Sequence, residues 1–115
     1  MSDQVEISIP KTKWPERSAF VATAYFRDRA TAAADTPTSV KYRIECLTTG
    51  NVLADWTTVT PASSVTVPVT ATHNAIQDDC NAYETKQLLV AADYGAADQH
   101  IGRRTWRVEN LVGVT

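Results

Sequence analysis

The sequence predicts an all-β domain built from two packed sheets, and three observations support this prediction. Apolar and charged side chains alternate along residues 40–46, and similar segments recur throughout the 115 residues. Strict alternation places one face of a strand on a core and the other face in water. The segments are short and separated by turn residues, so they leave no room for a long helix. The length is that of one domain, and we expect residues 1–115 to form a single β-sandwich.

The first two strands follow directly from this alternation. Residues 5–9 alternate between apolar and polar side chains, and Pro10 ends the strand because it has no N–H to donate. Residues 18–27 form the next strand. Four apolar side chains share one of its faces: Phe20, Ala22, Ala24 and Phe26. Residues 29–39 are too short for an independently stable helix and are predicted to be a loop that crosses between the sheets.

The middle of the chain predicts a hairpin and an edge strand. Residues 40–46 and 52–59 flank Gly50, which supplies the positive φ that a tight turn needs. Residues 65–71 form the most regular β-branched run. Pro68 interrupts that run, so this strand is expected to be an edge strand or to have a bulge at the proline.

The last two strands complete the predicted core. Residues 84–92 become apolar on both faces, as in a central strand, and residues 101–111 place Trp106 inward. Trp56 is also expected in the core, whereas Trp14 is expected at the surface. The predicted core consists of Tyr42, Ile44, Val67, Val69, Leu88, Val90, Trp106 and Val108.

About seven antiparallel strands joined by short turns favour an immunoglobulin-like or fibronectin-III-like sandwich over a barrel. The spacing of Cys46 and Cys80 does not fit the disulfide of antibody domains. No signal peptide is recognised at residues 1–6, so we expect the protein to be made in the cytoplasm and both cysteines to be thiols, without a disulfide.

Composition and charge argue against several classes of partner. The formal net charge is −2 and the pI is about 5.6, so nucleic acid and anionic membranes are not expected to bind. No segment approaches the length of a membrane span.

The sequence also lacks the motifs of catalysis and of metal binding. His73 and His100 lie in predicted loops without ligands at metal-binding spacing. The pair Asp78 and Asp79 with Asn81 lacks the spacing of a calcium loop. No serine elbow or phosphate loop is present. We therefore expect no enzyme, no cofactor and no metal.

A group of basic residues is one candidate for a binding surface. Arg43, Arg103 and Arg107, with Lys41 and Arg104 nearby, would gather on one sheet if the third strand and the last strand lay close together. An acidic protein surface is a suitable partner, because no exposed aromatic residues are expected between them for base stacking. The alternative is a solvated face that Glu45 and Glu109 balance.

Several segments resemble the small immunoglobulin-like proteins encoded among the structural genes of tailed bacteriophages. They are residues 37–44, 49–59, 64–74 and 106–111. The resemblance implies a virion component on the capsid, neck or tail, present in many copies in a symmetric assembly. A single sandwich without an export signal fits the same expectation.

The N-terminal segment is the expected contact with other subunits or with the shell, and the basic face is the next candidate. Glu6 is the only exposed charged residue expected to hinder pairing at the edge of this segment. Strand addition or apolar docking is therefore expected there. The residues concerned are Val5, Ile7, Ile9 and Trp14. We expect removal of residues 1–9 to leave a folded protein that no longer joins its particle.

The alternative function is a module that binds carbohydrates or a host surface. Tyr83 and Tyr94 would stack on sugar rings. Four polar side chains would supply hydrogen bonds: Asp78, Asn81, Asp93 and Asp98.

Overall fold

Eight strands in two sheets make up the part of the chain that the structure describes. The computed structural model describes residues 3–28, 33, 36–78, 80–94 and 99–111. The strands are β1 (Asp3–Ser8), β2 (Lys13–Pro15), β3 (Phe20–Asp28), β4 (Ser39–Cys46), β5 (Val52–Val59), β6 (Ser64–Val69), β7 (Tyr83–Asp93) and β8 (Gln99–Glu109). One sheet has the order β1-β3-β6, and the other has the order β2-β8-β7-β4-β5. The all-β prediction is confirmed, and these residues include no helix that could cross a membrane.

The short strand β2 was not predicted, and it makes the larger sheet mixed. Lys13 pairs with Arg107 and Pro15 with Glu109, and the two strands run parallel. The expectation of antiparallel strands alone is therefore wrong. After Pro10 ends β1, the chain crosses to the other sheet and forms β2 there. Three residues show no alternation, so the sequence pattern could not reveal this strand.

One apolar core lies between the two sheets. Seven of the eight predicted core residues are buried, and Tyr42 is half-buried against them. The ring of Phe20 lies edge-on to Trp106 at 5.2 Å between centroids, and Trp14 stacks on Phe20 at 4.6 Å. Trp14 is thus half-buried against the core instead of exposed as expected.

The predicted positions of three strands are confirmed. The inward residues of β3 are those expected, and β7 lies in the middle of the larger sheet. β6 is an edge strand. The N–H of Phe26 donates to the carbonyl of Ser63, and the regular register from that pair directs the backbone of Pro68 away from β3. The proline therefore occupies a position where no ladder hydrogen bond is lost.

Two expectations, one for β5 and one for β8, are wrong. Trp56 is 37% exposed, because β5 is the edge of the larger sheet and is not sandwiched over its whole length. His100 lies in β8 opposite Ala92, not in a loop. The predicted crossing loop, residues 29–39, falls mostly outside the described residues, although the strands on either side of it do belong to different sheets.

The two sheets approach each other closely where β1 meets β8. A Cβ atom at Gly102 would lie 2.7 Å from Cγ1 of Val5 and 3.0 Å from its carbonyl oxygen. Such distances are too short for a real Cβ, so this approach requires glycine.

Candidate interaction face

The outer side of the larger sheet brings the predicted basic residues together. Arg43 of β4 lies opposite Leu89 of β7, and Leu89 lies opposite Arg103 of β8. Residues opposite one another share a face, and two strand spacings separate the Cα atoms of the two arginines by about 10 Å. Lys41 and Arg107 share this side through the same registers. We call the outer surface with Lys41, Arg43, Arg103 and Arg107 the cationic face.

Carboxylates balance only part of this charge. Arg43 lies 3.3 Å from Glu45, and Arg107 lies 3.3 Å from Glu109. Such partly exposed pairs contribute at most about 1 kcal/mol each. Lys41 and Arg103 form no ion pair with any described residue. The cationic face therefore keeps a positive excess in a chain whose net charge is negative.

Two exposed aromatic rings lie beside these cations. The Arg107 guanidinium lies 3.6 Å from the ring centroid of Tyr83, and the Lys41 ammonium lies 4.8 Å from that of Trp56. The expectation that no exposed aromatic residues accompany the basic residues is therefore wrong. Cation–π contact orders both cations, and arginine with aromatic residues is the composition enriched at protein interfaces.

A shallow groove of about 600 Å³ crosses the cationic face near the end of β8. Its wall includes Thr12, Leu47, Arg103, Thr105 and Arg107. Leu47 is 47% exposed and is the main apolar side chain of the groove. The groove is open to solvent.

The N-terminal candidates lie elsewhere and mostly face inward. Ile7 is buried, and Val5 and Ile9 pack against the core. The indole N–H of Trp14 donates to the carbonyl of Lys11 at 2.8 Å, and the Lys11 ammonium covers the Trp14 ring. Ile7 is therefore not exposed for apolar docking, and Val5, Ile9 and Trp14 are half-buried, whereas strand addition to the free edge of β1 uses only backbone groups. Removal of residues 1–9 would also remove Ile7 from the core.

The two tyrosines of the carbohydrate alternative do not form one site. Tyr83 begins β7 and Tyr94 directly follows its last residue, so a strand of about 35 Å separates them. Tyr94 packs against the core, edge-on to His100. Asp98 lies outside the described residues.

A buried polar cluster beneath the loop from residue 70 to residue 82 was missed by the sequence analysis. Glu84 and Lys86 are fully buried, and the Lys86 ammonium lies 2.9 Å from Oε1 of Glu84. The ammonium also donates to the carbonyl of Ala75. Both residues have the same parity in β7 as Leu88, which is the signal that could have placed them inward.

Hydrogen bonds keep the Glu84 carboxylate ionised. Burial alone would raise its pKa, but four donors lower the pKa from 4.5 to about 2. They are the backbone N–H groups of Gln77 and Asp78 and the side chains of Lys86 and Asn81. The carboxylate thus ties the loop to the end of the sandwich.

The histidines and cysteines are further side chains that could react or bind a metal. Nδ1 of His73 accepts the N–H of Thr70 at 3.1 Å, and burial lowers the pKa of His73. Cys46 is buried, Cys80 is exposed, and both are free thiols. Within the described part of the chain, no three His, Cys, Asp or Glu side chains are grouped so that they could hold a metal ion.

No protein-family model matches the sequence, and no curated protein matches it significantly.

Proposed function

We propose that the protein is a non-enzymatic structural component of a tailed-phage virion, which acts through protein–protein contacts on the capsid, neck or tail. The observation that carries this proposal is the cationic face, where exposed arginines and aromatic rings share one side of a five-stranded sheet. That composition favours a protein partner with an acidic surface.

The order of the strands supports an immunoglobulin-like or fibronectin-III-like assignment. If β1 and β2 are the two halves of strand A, β3 and β6 correspond to B and E, and β4, β7 and β8 correspond to C, F and G. The first sheet then contains A, B and E, and the second contains C, F and G. The same division between the sheets characterises immunoglobulin-like sandwiches.

The resemblance to phage structural proteins supports the virion assignment. The segments that carry it include all of β5 and β6, most of β4 and the end of β8. Lys41, Arg43, Trp56 and Arg107 all lie in those segments. The segments that carry the resemblance therefore contribute Lys41, Arg43 and Arg107 to the cationic face.

Purified particles of the virus or prophage that encodes the chain test this proposal. Mass spectrometry should find the protein at a copy number that matches a symmetric shell or ring. Its absence from the particles would overturn the proposal.

A matched pair of substitutions tests the role of the cationic face. Arg107 and Arg27 each lie beside a glutamate and a tyrosine ring, but on opposite sheets. Arg107→Glu should reduce incorporation into particles, whereas Arg27→Glu should not. Equal incorporation of both variants would show that another surface makes the contact.

A further inference from the structure

The edge of β8 next to β2 is only partly paired. The N–H of Asn110 donates to the carbonyl of Ala82, and the register from that pair directs the backbone groups of Arg103, Thr105 and Arg107 away from β7. β2 covers only the last part of this edge, where Arg107 donates to the carbonyl of Thr12 and Glu109 accepts from Glu16.

Arg103 and Thr105 therefore present unpaired backbone groups. No described strand pairs with β8 on this side before Arg107. The contact between Val5 and Gly102 closes the other end of the gap. We call the outward N–H and C=O groups of Arg103 and Thr105 the open edge of β8.

The groove described above opens beside this edge. Its wall includes Thr85 and Gln87 of β7 and Thr12 before β2, so it crosses the outer face of β8 from one side to the other. Arg103, Arg104 and Thr105 are all exposed. The open edge is thus accessible to a partner chain.

The side chains around the edge set the charge of a partner. Arg103 and Arg104 are exposed and form no ion pair with any described residue. Because they lie on opposite faces of β8, consecutive acidic residues in an added strand would place a carboxylate next to each. A basic or neutral segment would leave both guanidinium groups unpaired.

We propose that the open edge of β8 binds an extended acidic peptide segment of a partner protein by β-strand addition. The backbone groups of Arg103 and Thr105 pair with the segment, and the surrounding arginines select its carboxylates. The site is independent of the part of a particle in which the protein is found.

Titration of the intact protein with synthetic peptides tests the site without any particle. The probe is the peptide Thr-Val-Glu-Asp-Glu-Val-Thr, and the control peptide has Gln and Asn in place of its acidic residues. Backbone amide NMR should show that the N–H resonances of Arg103 and Thr105 shift on addition of the acidic peptide and that these protons exchange more slowly with solvent. The control peptide should cause neither change. No change at these two amides would overturn the proposal.

Two charge reversals separate strand addition from general attraction to the cationic face. Arg103→Glu should weaken peptide binding by about tenfold or more, whereas Lys41→Glu, two strands away, should change it by less than about twofold. Equal weakening by both variants would overturn the proposal, as would displacement of the peptide by double-stranded DNA at the same amides.

Thr105→Pro tests the backbone contact directly. The outward N–H of Thr105 is not part of the ladder with β7, so proline removes a donor of the open edge while Arg103 and Arg104 remain. The variant should keep its overall amide spectrum and lose peptide binding. Unchanged binding in a folded variant would show that the edge is not used.

Discussion

The indole N–H of Trp106 donates a 2.8 Å hydrogen bond to Oδ1 of Asn74, and both side chains are buried. Asn74 in turn donates to the carbonyl of Ser18 at 2.7 Å. One amide side chain thus joins β8 to the segment that enters β3. The polar end of the tryptophan and the loop that carries Asn74 depend on each other.

Two substitutions of Trp106 should separate the contribution of its packing to stability from the contribution of its hydrogen bond. Trp106→Ala should lower the free energy of unfolding by about 3–5 kcal/mol, because a large cavity remains. Trp106→Phe keeps a ring but leaves the buried Oδ1 of Asn74 without its donor, which costs about 1–3 kcal/mol. Denaturant unfolding measures both values, with Trp56→Ala as the exposed control. A loss below about 1 kcal/mol for Trp106→Ala would contradict the buried position.

The ion pair of Glu84 and Lys86 should make the free energy of unfolding depend on pH in the acidic range. The pKa of Glu84 is lower in the folded protein than in the unfolded chain, so its contribution is fully present above about pH 4.5 and is lost as the pH falls towards about 2. Glu84→Gln should be less stable at neutral pH and should lack this part of the pH dependence. Denaturation midpoints between pH 7 and pH 2.5 measure the difference, and parallel curves for both proteins would contradict it.

Removal of one partner of this pair should cost more than removal of both. Lys86→Met leaves a buried carboxylate without its cation and should destabilise the fold by about 3–5 kcal/mol. The double variant with Glu84→Leu removes both charges and should recover part of that loss. Thermal unfolding at neutral pH tests the order. A double variant less stable than Lys86→Met would contradict this order. It would mean that the hydrogen bonds from the loop to the Glu84 carboxylate contribute more stability than removal of the unpaired charge recovers.

Gly102→Ala should destabilise the protein through Val5. The new methyl group meets both the side chain and the carbonyl oxygen of Val5, so the strands must separate slightly, at a cost of about 1–3 kcal/mol. Val5→Ala in the same chain should reduce this cost because it removes Cγ1 from the contact. The same Val5→Ala change should not alter the cost of Gly50→Ala, where the added methyl group meets no atom within 4 Å. A double-mutant cycle measures the coupling.

Pro68 should keep the free edge of β6 from pairing with another chain. Pro68→Thr adds an outward N–H to an edge of alternating β-branched residues and should cause self-association that grows with concentration. Light scattering after size-exclusion chromatography measures it. Adding Thr66→Lys to that variant places a charge on the same edge and should restore the monomer. A Pro68→Thr protein that stays monomeric would show that the proline is not needed at this edge.

The sequence pattern predicted much of the fold because a period of two is a local property. The strand at residues 84–92 and the inward face around Phe20 followed from neighbours one and two positions away. Pairing between distant residues leaves no such trace, so the parallel contact of Lys13 with Arg107 was not predicted. Glu84 and Lys86 were missed for a different reason. Their charges suggested solvent, although their parity pointed to the core.

The candidate site was likewise predictable only in part. The basic residues could be named because each lies at an outward position, but their sharing of one face depends on the order of β4, β7 and β8. Trp56 was expected in the core, and its exposure follows from the edge position of β5. Backbone groups without partners at Arg103 and Thr105 cannot be recognised from side-chain chemistry, since they depend on where β2 ends.

The place of β8 in the larger sheet has a consequence for biosynthesis. β8 is the last of the eight strands to leave the ribosome, yet it lies between β2 and β7. A nascent chain that ends before it has β2 without a neighbour, β7 as an unprotected apolar edge and Phe20 without Trp106. The larger sheet is therefore completed only after translation has passed Glu109, and until then the free edge of β7 is open to pairing with other chains.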